Sequence, residues 1–262
     1  MGRGYIRSLQ DQQDQDRGVA GGPTIAEYVS TFSNLPGLRG LWYPGSMDQT
    51  GAVYDQSGQG RTLTYNGNPI ASYHATQLVP RIFLDGTGDY FSRADEAGLD
   101  VLGTETYNSS AYRGLTLGGW FLPTNVTGAR TFMSKWTAAG NLRSWLLAMN
   151  GTTISAYVSS NGTAVTQIDS TVAATISKAH FVCLRYSSFF TELAVFVNGT
   201  KTFMSTAPAS IFNTSAALQI GATNVGTELF IGNWHMSFMC AIVLNDQHLK
   251  TLFTRTRLFF GV

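Results

Sequence analysis

Carboxylates are the first side chains in this chain that could do chemistry. Asp48, Asp55, Asp85, Asp89, Asp95 and Glu96 gather in its first third. Two carboxylates joined by backbone carbonyls could hold Ca²⁺, which takes about six to eight oxygens. The same residues beside glycine also build turns by accepting from their own backbone. The turn reading is the stronger, because no D-x-D-x-D-G loop occurs. Calcium is thus the one cofactor these loops could take, and nothing else in the sequence calls for one.

Catalysis finds less support. Cleaving a glycosidic bond takes two carboxylates that face one sugar. A single strand places two on one face only at even spacing. No strand-like run has such a pair, and Glu192 and Glu228 are solitary. His74, His180, His235 and His248 are scattered, with no nucleophile-elbow or His-x-x-Glu-His motif. A protein that is not an enzyme is expected. Cys183 and Cys240 lie in apolar runs and read as buried free thiols. Trp42, Trp120, Trp136, Trp145 and Trp234 could stack on sugar rings, though such residues more often fill a core. Asn-x-Ser/Thr triplets at Asn108, Asn125, Asn150, Asn161, Asn198 and Asn213 are turn chemistry before they are glycan acceptors.

The elements that must position these residues are strands. From Gly40 onward, short apolar or alternating runs end in Gly, Asn, Asp or Pro, the pattern of an all-β sandwich. Leu115–Leu122, Trp145–Met149, Ile154–Val158, Phe181–Tyr186, Leu193–Val197, Leu218–Gly221 and Met236–Leu244 read as strands. Asn150-Gly151 and Asn198-Gly199 mark hairpin turns. A terminal helix follows Asn245, with Leu249, Leu252 and Phe253 on one face. Only 13% of residues are charged, about half the usual share, so the surface is built from Ser, Thr, Asn, Gln and Gly. A net charge of +1 argues against a nucleic-acid partner, and no apolar run is long enough to cross a membrane. The first residues lack the apolar core of a signal peptide, which predicts synthesis in the cytoplasm without export.

Residues 1–37 form a distinct arm. Leu9–Arg17 is polar and Gly18–Pro23 is a hinge. Thr24–Phe32 then reads as a short helix, with Thr24 as N-cap, Glu27 three residues on, and Ile25, Tyr28, Val29 and Phe32 as its apolar face. Such an arm cannot fold alone. Either the domain or a neighbouring subunit must hold it.

Nine landmarks in order resemble the laminin-G-like group of concanavalin A-like jelly rolls. They include Leu41-Trp42-Tyr43, the Asp55–Gly60 loop, Phe83–Tyr90, Leu117–Pro123, Met133–Trp136, His180–Cys183 and Val197-Asn198-Gly199. The resemblance spans about 200 residues and leaves out residues 1–37. It implies an all-β fold of two antiparallel jelly-roll sheets with an extended N-terminal arm, dividing the chain into 1–37 and 38–262. It also implies core positions for Trp120 and Trp136 and a structural ring for His180.

Function is expected where the chain departs from that pattern. Phe189 and Phe190 occupy a hairpin tip that is polar in relatives, and Phe259 and Phe260 make the chain end apolar. The expected partner-binding residues are therefore Tyr5, Ile6, Leu9, Ile25, Tyr28, Phe32, Phe189, Phe190, Phe259 and Phe260. Laminin-G-like domains recur on bacteriophage particles. By that analogy the chain is expected to be a virion structural protein: a capsid decoration protein, or part of a head or tail fibre. Its partners would be other virion proteins, and it would form a homo-oligomer, a trimer by analogy with such projections. The alternative is a carbohydrate-binding or adhesion module, with a glycan as partner and calcium as its one candidate ion.

Overall fold

The computed structural model describes residues 24–73, 79–104, 109–224 and 226–262. Tyr5, Ile6, Leu9, His74 and Asn108 lie outside the described residues. Strands β1–β15, numbered along the chain, form two antiparallel sheets. The first runs in the order β13 (Thr200–Met204), β12 (Glu192–Val197), β11 (His180–Ser187), β6 (Gly114–Pro123), β15 (Ile231–Cys240), β4 (Pro80–Asp85) and β3 (Ile70–Tyr73). Its eighth strand, β1 (Leu38–Trp42), pairs with the second half of β15, while β4 pairs with the first half. The second sheet runs β10 (Val165–Ala173), β9 (Thr153–Ser159), β8 (Leu142–Asn150), β7 (Ala129–Thr137), β14 (Leu218–Ile220), β5 (Tyr90–Arg93) and β2 (Thr64–Asn66). The all-β, two-sheet sandwich implied by the sequence is the observed fold.

Turn chemistry sets the register. Asn198 and Gly199 both take left-handed backbone (φ 51° and 80°), the type I′ geometry that joins β12 to β13. Asp55 accepts from the Leu41, Ser57 and Arg61 amides, and Asp89 from those of Asn68 and Asp85. These carboxylates tie loops to strands, as the turn reading required. The last strand differs from expectation. It begins at Ile231 and ends at Cys240, because beyond that point the Ala241 amide leaves the ladder to donate to Gly37 O. Strands β3, β10 and β13 were not foreseen.

Two apolar layers hold the molecule together. Between the sheets lie Trp42, Phe91, Phe121, Phe132, Trp145, Leu184, Val195, Ile220 and Trp234. A second layer covers the outer face of the eight-stranded sheet with α1 (Ile25–Ser33), α2 (Asp246–Thr256) and the segment that follows. Every position of β6 is consequently buried, as in any strand with both faces covered. There the backbones close to contact: a Cβ on Gly119 would stand 1.9 Å from Met236 O. Helix α1 carries the expected capping box, with the Glu27 amide donating to Thr24 Oγ1 and the Thr24 amide to Glu27 Oε2.

Tyr28 and Phe32 belong to this layer and are fully buried, as are Phe259 and Phe260 at 4% and 7% exposure. Tyr28 lies 4.9 Å from the Phe259 ring, and Phe32 lies 5.5 Å from Phe238. These four rings were expected to meet another protein. They meet the chain's own sheet instead, since sheet and helix each bury apolar surface that neither can cover alone. Ile25 is half-buried beside them. The Tyr28 hydroxyl is buried with no hydrogen-bond partner among the described residues, and burial pushes its phenol well above the usual value. Tyr28→Ala should therefore cost about 3–5 kcal/mol of stability. Tyr28→Phe should be neutral or slightly stabilising. Urea unfolding checks both, and a Tyr28→Ala midpoint matching the parent would show that α1 is not part of the domain.

Candidate functional site

The outer face of the seven-stranded sheet presents a different surface. Alternation sends Trp145, Leu147, Met149, Ile154, Ala156 and Val158 inward. Their neighbours face out in register. One row reads Gln167, Tyr157, Leu146, Ser134 and Gln219 across β10, β9, β8, β7 and β14. The next reads Asp169, Ser155, Ala148 and Thr131. Trp136 follows Ser134 by two residues and faces the same way, packing nearly buried (9% exposed) with Leu146, Ala148 and the half-buried Tyr157. The Trp136 and Tyr157 rings lie 6.2 Å apart, inclined at 58°.

Polar groups frame these rings. The Arg143 guanidinium sits 6.0 Å above Trp136 and donates to Gly162 O and Asn141 Oδ1. Asp169 Oδ1 accepts from Ser155 Oγ and Gln167 Nε2, both at 2.6 Å. Glu228 lies past the other end of the row, its carbonyl accepting from the Thr131 amide and its Oε2 from Thr223 Oγ1. Burial raises the Tyr157 phenol above its ordinary value; a Ser155 hydrogen bond opposes this, and the charges of Asp169 and Glu228 add to it. Trp136, Leu146 and Ala148 are themselves buried, so Tyr157 is the ring on this patch that is open to a ligand, with planar amide, carboxylate and guanidinium groups around it.

Of the residues expected to bind, Phe189 and Phe190 stand free. They are 53% and 57% exposed at the β11–β12 tip, with rings edge to face at 4.9 Å. They lie apart from the Trp136–Tyr157 patch in the topology. Trp42, Trp120, Trp145 and Trp234 are core, and Trp136 is buried too at 9% exposure, though on the outer side of its sheet. Among the described residues no group of three or more His, Cys, Asp or Glu could hold a metal. Asp95 pairs with Lys135, and Glu96 pairs with Arg61 and Arg93. Cys183 and Cys240 are buried free thiols. The patch itself escaped the sequence reading. The alternation of Thr153, Ser155, Tyr157 and Ser159, and of Val165, Gln167 and Asp169, could have shown it.

A family model described as the concanavalin A-like lectin/glucanases superfamily matches residues 85–236. No curated protein matches the chain. Among solved structures, the binding domain of Paraclostridial Mosquitocidal Protein 1 is similar (TM-score 0.63, 10% identity, 83% of this chain and 52% of that one). The botulinum neurotoxin serotype G binding domain is similar too (TM-score 0.61, 12% identity, 83% and 50%). So is the botulinum neurotoxin DC binding domain in complex with rat synaptotagmin II (TM-score 0.59, 13% identity, 83% and 51%). The chain spans about half the length of these structures. Identities this low carry the fold alone.

His180 has the structural place foreseen for it. Its Nε2 lies 2.9 Å from the Thr175 amide nitrogen, and Nδ1 lies 3.2 Å from Asn198 Nδ2. It lines a recess of about 590 Å³ that Lys178 and Phe260 share. Burial lowers its pKa; the Thr175 contact opposes this, and the Lys178 charge reinforces it. A lowered folded value means that its stabilisation is complete above the ordinary imidazole value of about 6.5 and is lost as pH falls through the folded value. The urea midpoint should drop between about pH 7.5 and pH 5, and His180→Gln should shrink that drop.

Proposed function

The chain belongs to the concanavalin A-like lectin/glucanases superfamily, and on that premise we propose that it is a carbohydrate-binding or adhesion module without catalytic activity. Its ligand lies on the outer face of the seven-stranded sheet. The observation that carries this reading is the half-exposed Tyr157, backed by the buried Trp136, with Asp169, Gln167 and Arg143 around the pair. The eight-stranded sheet has no comparable face, because the chain's own helices cover it. The similar structures are binding domains, one of them in complex with rat synaptotagmin II, which agrees with a binding role. Calcium has no part in this proposal, since Asp48, Asp55 and Asp89 already accept from backbone amides. On a glycan array, Tyr157→Ala should weaken binding about tenfold, the loss of one stacked ring, with little change in melting temperature. EDTA should leave binding unchanged. A Tyr157→Ala variant that keeps full affinity would move the site elsewhere.

A second reading is a bacteriophage virion structural protein, a capsid decoration protein or fibre component. The exposed Phe189–Phe190 tip favours it, because free hairpin tips are usually polar. Since α1 is docked on its own domain, anchoring would fall to the residues before Thr24 and to this tip, with other virion proteins or further copies in a trimer as partners. A Phe189→Ser/Phe190→Ser variant should then lose particle association while keeping its fold. Association that survives both changes would remove the support for this reading.

A further inference from the structure

Helices α1 and α2 run antiparallel, and a groove remains open along the seam between them. Tyr28, in the first turn of α1, meets Phe259 just past the end of α2, while Leu35 after α1 shares the groove with Asn245, the cap of α2. The groove holds about 360 Å³ and is lined by Thr31, Leu35, Asn245, His248, Leu252 and Arg255. Leu252 and the half-buried Leu35 supply its apolar surface. His248 and Arg255 stand seven residues apart on one flank of α2, about 10.5 Å along the helix. Both are exposed, and neither side chain has a hydrogen-bond or ion-pair partner among the described residues. The acids of these helices are engaged: Glu27 accepts from the Thr24 amide, and Asp246 is paired with Arg185.

We propose that this groove is the docking site of residues 9–16 of the same chain, with Asp14 on Arg255, Asp11 on His248 and Leu9 against Leu35. Charge favours this occupant. Residues 9–17 carry Asp11, Asp14 and Asp16 against Arg17 alone, while the groove presents a guanidinium and an imidazole. Spacing favours it too, since three residues of extended chain cover about 10 Å, the His248–Arg255 span. The chain enters α1 at Thr24, at the Arg255 end of the groove. A segment running back from there meets Arg255 first, then His248, then Leu35. Residues 15–23 can reach about 30 Å, well beyond the 13 Å or so of α1. The start of α2 adds the positive end of its dipole near Asp11. A tether this short keeps the segment at about millimolar effective concentration, so individually weak contacts suffice. The inference goes beyond ligand binding and does not depend on it.

A nitroxide on Ser8→Cys in the full chain tests this. Cys183 and Cys240 are buried and burial raises their thiols, so they stay unlabelled. The nitroxide should broaden the Thr31, His248 and Thr251 amide resonances about twofold more than those of β10, and salt that cuts the Debye length from about 10 Å to 3 Å should remove most of that difference. Arg255→Glu should abolish it, with folding checked by thermal melting. Adding Asp11→Lys, Asp14→Lys and Asp16→Lys to that variant should restore it. Equal broadening at both places overturns the inference, as does broadening that ignores Arg255→Glu or that the charge swap does not restore. Spin-labelled chain mixed with isotope-enriched, unlabelled chain should leave the groove resonances sharp. Broadening in that mixture would seat a second copy in the groove and overturn docking within one chain.

Discussion

The covering of one sheet face governs the rest of this molecule. Strands β6, β11 and β15 are buried almost throughout, which is possible only if apolar mass lies on both sides of them. Trp120 sits at the centre of the outer layer. Its indole donates to Thr256 Oγ1 at 2.8 Å, and its ring stacks on Phe260 at 4.2 Å and on Phe253 at 6.0 Å. Phe181 and Phe238 extend the layer towards Phe32 and Tyr28. Pieces remote in the chain thus close over one another. Once they have closed, the apolar faces of α1 and the C-terminal segment are spent on the chain's own sheet.

That constraint explains which parts of the protein were legible in its sequence. Turns were readable because Asn198-Gly199 and Asp55 act locally, through a left-handed backbone or a carboxylate that accepts neighbouring amides. Helix α1 was readable because its capping box spans only Thr24 to Glu27. The destination of its apolar face was not. Tyr28 and Phe32 look the same in sequence whether they meet a neighbouring subunit or Phe259 and Phe238, more than 200 residues away. Exposure at a hairpin tip is again local, so Phe189 and Phe190 fell where expected.

The patch on the seven-stranded sheet was illegible for a related reason. A reading of single strands could not assemble this face, whose residues come from β7, β8, β9 and β10. What builds it is strand order: β10 beside β9, then β8, then β7, with Asp169 at one end of a row and Glu228 past the other, where its carbonyl accepts from the Thr131 amide. Trp136 reached the face by the same alternation as Ser134, but its place against Leu146 and Ala148 is set by pairing with β8. Alternation in β9 and β10 was present in the sequence, but polar residues on both parities of β10 hid it.

The scarcity of charge sharpens the point. With 13% of residues charged, this protein uses several as internal ties. Lys135 is buried and reaches Asp95, Asp100 and Thr214 O; Arg185 joins Glu192 to Asp246 and to Leu244 O; Arg61 links Glu96 to Arg39 O. Each tie fastens a loop or helix end to a strand, and a buried pair of this kind is costly to break once formed. In a chain that so consistently matches its acids to cations or turn amides, exposed carboxylates with only neutral hydroxyl and amide donors are the exception. Asp169 is one of them, on β10 beside the strand that carries Tyr157 and on the sheet that the helices leave alone. The same closure that buries Tyr28 keeps both helices on the eight-stranded sheet and leaves the outer face of the other to polar side chains such as Gln167 and Asp169.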